Sequence, residues 1–158
     1  GKGKPVEFRC TEPVRPNAVQ KMLYGKTLVP YIAQELIACP LVSALSERTD
    51  LLITDVADIV EARPKLHVPM IHVRRQGETI SGQASGLEED EEGREELLAC
   101  ESAKFDPLIV RSHWSLPEEA QSGRSLLRPV FLTVDLVEPF ERARNALEQI
   151  RQYDERKR

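Results

Sequence analysis

Val68–Val73 reads VPMIHV and Val130–Val137 reads VFLTVDLV. Both are short, apolar and rich in β-branched residues, the composition of sheet strands. The first alternates less than an exposed strand does, which predicts burial on both faces in the middle of a sheet. It ends in Arg74, Arg75, Gln76 and Gly77, a polar turn, after which Glu78–Gly82 is expected to pair back as a short polar strand. In the second segment Val130, Leu132, Val134 and Leu136 fall on one face, and Phe131, Thr133, Asp135 and Val137 on the other. It runs straight into an amphipathic helix, Pro139–Tyr153. Glu138 and Glu141 stand at the positive end of that helix, and Arg156, Lys157 and Arg158 lie beyond its negative end. Phe140, Ala143, Leu147 and Ile150 recur at the spacing of a buried stripe, and Arg142, Arg144, Glu148 and Arg151 form a solvated face.

Upstream, Leu28, Ile32, Leu36 and Cys39 recur at helical spacing, with Thr27 as a cap and Pro30 in the first turn. Pro40 ends or kinks this helix and Leu41, Val42 and Leu45 continue its apolar face, so residues 28–48 read as a broken helix packed on the sheet. Residues 51–62 (LLITDVADIVEA) suit a strand over Leu51–Thr54 and equally a helical turn from Asp55. Val6–Cys10 is either a brief edge strand or part of an extended arm, because Pro13 and Pro16 stop regular structure there. Residues 82–96, rich in Gly, Ser and acidic side chains, read as an exposed loop or insertion. Leu97–Ala103 suits a helical turn, Leu108–Arg111 a strand, and Ser115–Arg124 a loop. The expected fold is α+β: a small, mostly antiparallel β-sheet between an N-terminal broken helix and a C-terminal amphipathic helix. Long loops and an extended basic arm over residues 1–16 complete it. One domain over residues 1–158 accounts for the length, with 82–105 as an acidic loop or insertion.

With 5% aromatic residues, the core must rest on Leu, Val and Ile. A net charge of −4 argues against general nucleic-acid binding, but the charge is uneven. Gly1–Lys26 holds Lys2, Lys4, Arg9, Arg15, Lys21 and Lys26 against Glu7 and Glu12, while Glu88–Glu101 holds eight acidic residues against one basic, Arg94. Patches of opposite sign suit association with further copies or with charged neighbours; two separately solvated surfaces are the alternative. Cys10, Cys39 and Cys100 form no CxxC or metal spacing and are expected as reduced thiols in a cytosolic setting. Apolar runs fall far short of the ~20 residues of a membrane span, and the polar start shows no signal-peptide pattern. Pro5 stands where a myristoylated N-terminus would need Ser or Thr.

Chemical motifs are sparse. His67, His72 and His113 match no ligand spacing with the cysteines, and a hydrogen-bonded structural role is expected for His72. There is no GxSxG or SxxK setting, no GxGxxG and no Walker loop. No metal, cofactor or catalytic residue is therefore expected. One constellation, Asp55 or Asp58 with Glu61 and Arg63, weakly resembles the acidic pair and basic residue of restriction-type nucleases, although an arginine cannot serve as a base. Arg74 and Arg75 at their turn either grip an anion or stand solvated. Trp114 beside His113 is either a core plug or an interface anchor.

The helix with Leu28–Leu45, the proline-bounded VPMIHVRRQG and the late RPVFLTVDLVEPFERARNALEQI follow one another in an order similar to that of a known family. It resembles the tail-terminator and related head–tail joining proteins of long-tailed bacteriophages. The matching parts cover about half of the chain. The resemblance implies a structural virion protein, assembled in the host cytoplasm. Such a protein forms a hexameric ring that caps the tail tube and connects it to the neck. The implied partners are further copies of the chain, tail-tube and neck proteins, and DNA only by passage through the pore, with no membrane. Lys2, Lys4 and Arg9 of the arm, Arg74, Arg75 and Trp114 would then be contact residues. The run Glu88, Glu89, Asp90, Glu91 and Glu92 would be a contact or a repelling pore lining. The alternatives are a ferredoxin-like βαββαβ interaction domain, with Glu89–Ala103 as its second helix, and the nuclease.

Overall fold

The computed structural model describes residues 3–78 and 94–157. A four-stranded sheet lies at its centre: β1 (Leu52–Thr54), β2 (Met70–Arg75), β3 (Glu95–Leu98) and β4 (Leu108–Arg111), in the spatial order β1-β2-β4-β3. β1 and β2 run parallel, with Leu52 opposite Met70, so the chain must cross over between them. A one-turn helix, α4 (Ala57–Val60), and the 3₁₀ turn Arg63–Lys65 make that crossover. Both readings of residues 51–62 are therefore realised, strand first and helical turn second. The other two pairings are antiparallel, with His72 and Glu95 flanking Arg111. β2 is central and its first four residues are buried, as its sequence requires.

The two faces of the sheet differ. Ile71, Val73, Leu98, Leu108 and Val110 point to one side and pack against Leu127, Phe131 and Leu136. On the other side Met70 and Leu52 meet Ala38, Ala62 and Leu66 in a smaller cluster. Further along this second face the side chains are polar: His72 and Arg111 are buried, Arg74 and Glu95 half-buried.

Three assignments in the second half of the chain differ from the sequence reading. Residues 130–137 are not a strand. Val130 and Phe131 close helix α5 (Glu118–Phe131), and residues 132–137 turn into helix α6 (Glu138–Arg156). Thr133 N–H and Val134 N–H both donate to Val130 O, sealing the end of α5. Leu127 and Phe131, four residues apart, supply the buried pair, and an apolar run that short does not distinguish strand from helix. The expected loop 115–124 is mostly the start of α5, whose Glu118 and Glu119 sit at its positive end. Residues 97–103 are not helical: Leu97 and Leu98 finish β3, and a turn follows with Ala103 at φ 50. The ferredoxin-like arrangement thus loses both its second helix and its last strand.

The N-terminal helix begins earlier than expected, at α1 (Ala18–Tyr24). Asn17 accepts from Gln20 N–H and donates its own N–H to the Gln20 side chain, both at 2.9 Å, a capping box. Gly25, at φ +51, ends α1, and Thr27 gives its hydroxyl to Tyr24 O rather than capping. The chain continues through a 3₁₀ turn, α2 (Leu28–Tyr31), a π-helical stretch Ile32–Ala38 and α3 (Cys39–Ser43). Pro40 therefore does not end the helix. Cys39 N–H reaches back five residues to Gln34 O, and this wider turn makes room for a ring that clashes in an α-helix. α6 is present as expected, but its stripe is not buried: Phe140 packs on the core while Leu147 and Ile150 are 44% and 41% exposed. The arm is extended and joins no sheet. Its Glu7 carboxylate accepts from Ser46 N–H at 3.1 Å, and Arg142 Nη2 donates to Gly3 O at 2.9 Å. The expected strand partner beyond Glu78 lies outside the described residues, as does the first half of the acidic insertion, 82–93; Glu95 and Glu96 belong to β3.

Candidate functional site

Three groups of side chains are placed where they can act. The first lies at the junction of α4 with the β4–α5 turn. Glu61 follows α4 and His113 follows β4, and Glu61 Oε2 lies 3.2 Å from His113 Nε2. His113 Nδ1 accepts the Ser115 N–H at 3.1 Å and lies 2.8 Å from Ser115 Oγ. The backbone donor fixes Nδ1 as acceptor, so Nε2–H faces the carboxylate. Burial holds the His113 pKa below its ordinary value against the pull of Glu61. Arg63 grips the Glu119 carboxylate through Nε at 2.8 Å and Nη2 at 2.6 Å, and gives Nη1 to Leu66 O at 2.7 Å. These bonds staple the crossover to the start of α5.

That arrangement takes the nuclease-like constellation apart. Glu61 is engaged by His113, Arg63 by Glu119, and Asp55 forms an ion pair with Arg144 of α6. Asp58 stays near Glu61, and burial, then the Glu61 charge, raise its pKa. Among the described residues, no three His, Cys, Asp or Glu side chains converge as metal ligands.

The second group is the polar part of the second sheet face. His72 and Arg111 are cross-strand partners, Glu95 flanks Arg111 on β3, and Arg74 is two residues further along β2. Arg74 Nη2 lies 3.2 Å from Glu95, and Arg111 Nε lies 4.0 Å from it. His72 is not the hydrogen-bonded histidine expected from sequence: its Nδ1 is buried without a hydrogen-bond partner. Burial first, then Arg111 and Arg74, push its pKa down to about 4. Arg75 points to the opposite face and bonds Asp135 Oδ2 at 2.9 Å. Both arginines belong to strand β2 rather than to the turn expected from sequence, and neither is a free surface cation.

The third is an apolar surface. α1 buries none of its residues, and Met22 and Leu23 are 84% and 78% exposed. Val19, Tyr24, Val29, Tyr31 and Leu36 continue this surface along the helical unit, which buries only Ala33 and Ala38 through residue 43. On α6, Leu147, Ile150 and Tyr153 are exposed as well. Trp114, also largely exposed, stands tilted against His113 and is not a core plug. Lys4 and Arg9 are on the surface, Arg9 bonded to Glu7 and Ser46. Lys2 and residues 88–92 lie outside the described residues. Sequence reasoning placed the α6 stripe in the core and missed α1. The capping pair Asn17 and Gln20 was the available signal for α1.

The class so defined is an α+β domain with a mixed four-stranded sheet, helices over both faces and uncovered apolar helix surfaces. Comparison with known proteins gives no matching family model, no matching curated protein and no matching solved structure.

Proposed function

We propose that the protein is a structural assembly subunit of the tail-terminator or head–tail joining kind, working as a ring of identical copies. The observation that supports this reading is the bare α1–α2 surface. A helix as short as α1 is not stable by its own hydrogen bonds, and helices in proteins are held by packing an apolar face. Here that face points away from the subunit. Fully covering a large apolar side chain is worth ~1.5–3 kcal/mol, so covering Met22, Leu23, Val19 and Val29 supplies energy of the size that association costs.

The occupant in this reading is a second copy of the chain. The apolar patches lie on two different helices, α1–α2 and the outer side of α6. Unlike patches pairing head to tail generate a ring when the rotation closes. A hexamer capping a tube is the form that the family resemblance implies. Native mass spectrometry of the full chain tests it. The expected result is a hexamer that Met22→Glu with Leu23→Glu, or Leu147→Glu alone, breaks into folded monomers. A wild-type chain that stays monomeric at micromolar concentration overturns the reading.

A further inference from the structure

The turn between β4 and α5 is closed by one imidazole. His113 Nδ1 accepts the Ser115 N–H at 3.1 Å and lies 2.8 Å from Ser115 Oγ, while Nε2 lies 3.2 Å from Glu61 Oε2. Leu116 N–H donates to His113 O at 3.0 Å, and Ser112 Oγ bonds Pro117 O across the turn at 3.2 Å. A neutral imidazole offers one acceptor nitrogen and one donor, and both are in use here. The histidine is buried, whereas Trp114 and Ser115 of the turn lie on the surface. The shape of this surface therefore depends on a buried lone pair that a proton can take.

We propose that His113 is a proton-operated latch, in which uptake of a proton at Nδ1 expels the Ser115 N–H and opens the turn that carries Trp114. In the neutral ring the Nδ1 lone pair receives the backbone N–H. In the cation Nδ1 carries a hydrogen of its own, and two N–H groups cannot face each other at 3.1 Å. The Ser115 hydroxyl can turn its oxygen to the new hydrogen, because a hydroxyl both donates and accepts. The backbone N–H has no such freedom and must rotate away. That rotation moves the peptide between Trp114 and Ser115, and with it the indole, which stands 5.3 Å from the imidazole. The conflict is fixed by where the hydrogens sit, and the surrounding charges set only the pH at which it arises. Among the described residues these are Glu61 after α4, with Asp58 near it, Arg63 in the crossover, bound to Glu119 of α5, and Arg94 ahead of β3. Burial above all holds the His113 pKa below its ordinary value of 6.5; Glu61 opposes it, and Arg94 and Arg63 add to it. The latch is closed at neutral pH and opens on the acid side. The Arg63–Glu119 bridge takes no part in this proton, so α5 stays anchored while the turn ahead of it opens. This device is independent of how copies of the chain assemble.

The test is an NMR titration of the full wild-type chain from neutral pH down through the histidine range. It follows the His113 ring nitrogens and the exchange of backbone amides with water, corrected for the intrinsic effect of pH. The expected result is an Nε2–H ring at neutral pH. At the midpoint of the His113 titration the Ser115 amide loses about tenfold or more of its protection, while the Leu127 amide of α5 keeps its own. Ser115→Ala removes the oxygen that receives the new Nδ1–H, and is expected to lower the His113 pKa further, by about half a unit or more. A neutral ring with its hydrogen on Nδ1 overturns the proposal, as does protonation that leaves the Ser115 amide protected. So does a His113 that stays neutral until Ser115 and Leu127 lose protection together, or a folded Ser115→Ala chain whose His113 pKa does not fall. The wild-type titration decides this even if the variant does not fold.

Discussion

Gly123 shows how closely α5 approaches the sheet. A β-carbon there would stand 2.9 Å from Ile71 Cδ1 and 3.0 Å from Cγ2, and Ile71 is fully buried with nowhere to swing. Gly123→Ala gains about 1 kcal/mol of helix propensity but overpacks the core by ~1–3 kcal/mol. The expected net is a loss of about 1–2 kcal/mol in chemical denaturation, partly recovered when Ile71→Val removes Cδ1 from the double variant. His72 makes the second prediction at this scale. Its folded pKa, about 4, lies below the ordinary value of 6.5, so between these limits the unfolded chain binds more protons than the folded one. Stability therefore falls as pH drops from about 6.5 to about 4, by up to roughly 3 kcal/mol, and this contribution is flat above that window. Urea denaturation across the window should show that slope in the wild type and a shallower one in His72→Gln. Equal slopes would mean that His72 is not buried in its neutral form.

At the scale of elements, α5 and α6 look alike in sequence and differ in what they cover. Phe131 is 1% exposed at the end of α5, stacked 5.6 Å from Phe105. Phe131→Ala should cost ~3–5 kcal/mol. Leu147, halfway along α6, is 44% exposed, and its truncation to Ala in the isolated subunit should cost less than about 1 kcal/mol. Melting curves of the two variants under dissociating conditions check the contrast. Equal losses would place the α6 stripe in the subunit core after all. The N-terminal helical unit shows the same economy of burial. Only Ala33 and Ala38 are buried in its π-helical stretch, while the large apolar side chains of α1 and α2 face outward. Small residues let the helix lie close to α4 and the sheet, and the bulk is left for another surface.

For the whole molecule, the arm lies along its own subunit and belongs to no sheet. Exposed hydrogen bonds tie it to Ser46 and to Arg142, and Val6 and Phe8 are 81% and 50% exposed. Deleting residues 1–15 should lower the melting temperature by only a few degrees, because exposed polar links contribute little. In the assembly reading the same deletion weakens the ring, and any contribution of Lys4 and Arg9 fades as salt shortens the ~10 Å screening length. A truncated chain that does not fold would give the arm a place in the subunit's own core. Plasmid DNA incubated with the protein and Mg²⁺ or Mn²⁺ should remain uncut, since Asp55, Glu61 and Arg63 are each committed to a different partner. Cleavage lost in Glu61→Gln would reverse that expectation.

The sequence by itself determined the class of fold, the buried central strand β2, the strand Leu108–Arg111 and the C-terminal helix. Each is written in local periodicity: an unbroken apolar run, or a stripe at helical spacing beside charged residues. It did not determine that 130–137 ends a helix, because a short apolar run fits either geometry until Leu127 and Phe131 are seen on one buried side. Nor did it show that Leu147 and Ile150 are left uncovered, since periodicity reports an apolar face without naming what meets it. The polar sheet face was hidden for the same reason. His72, Arg74, Glu95 and Arg111 lie on three strands, and only β pairing in this register sets them side by side.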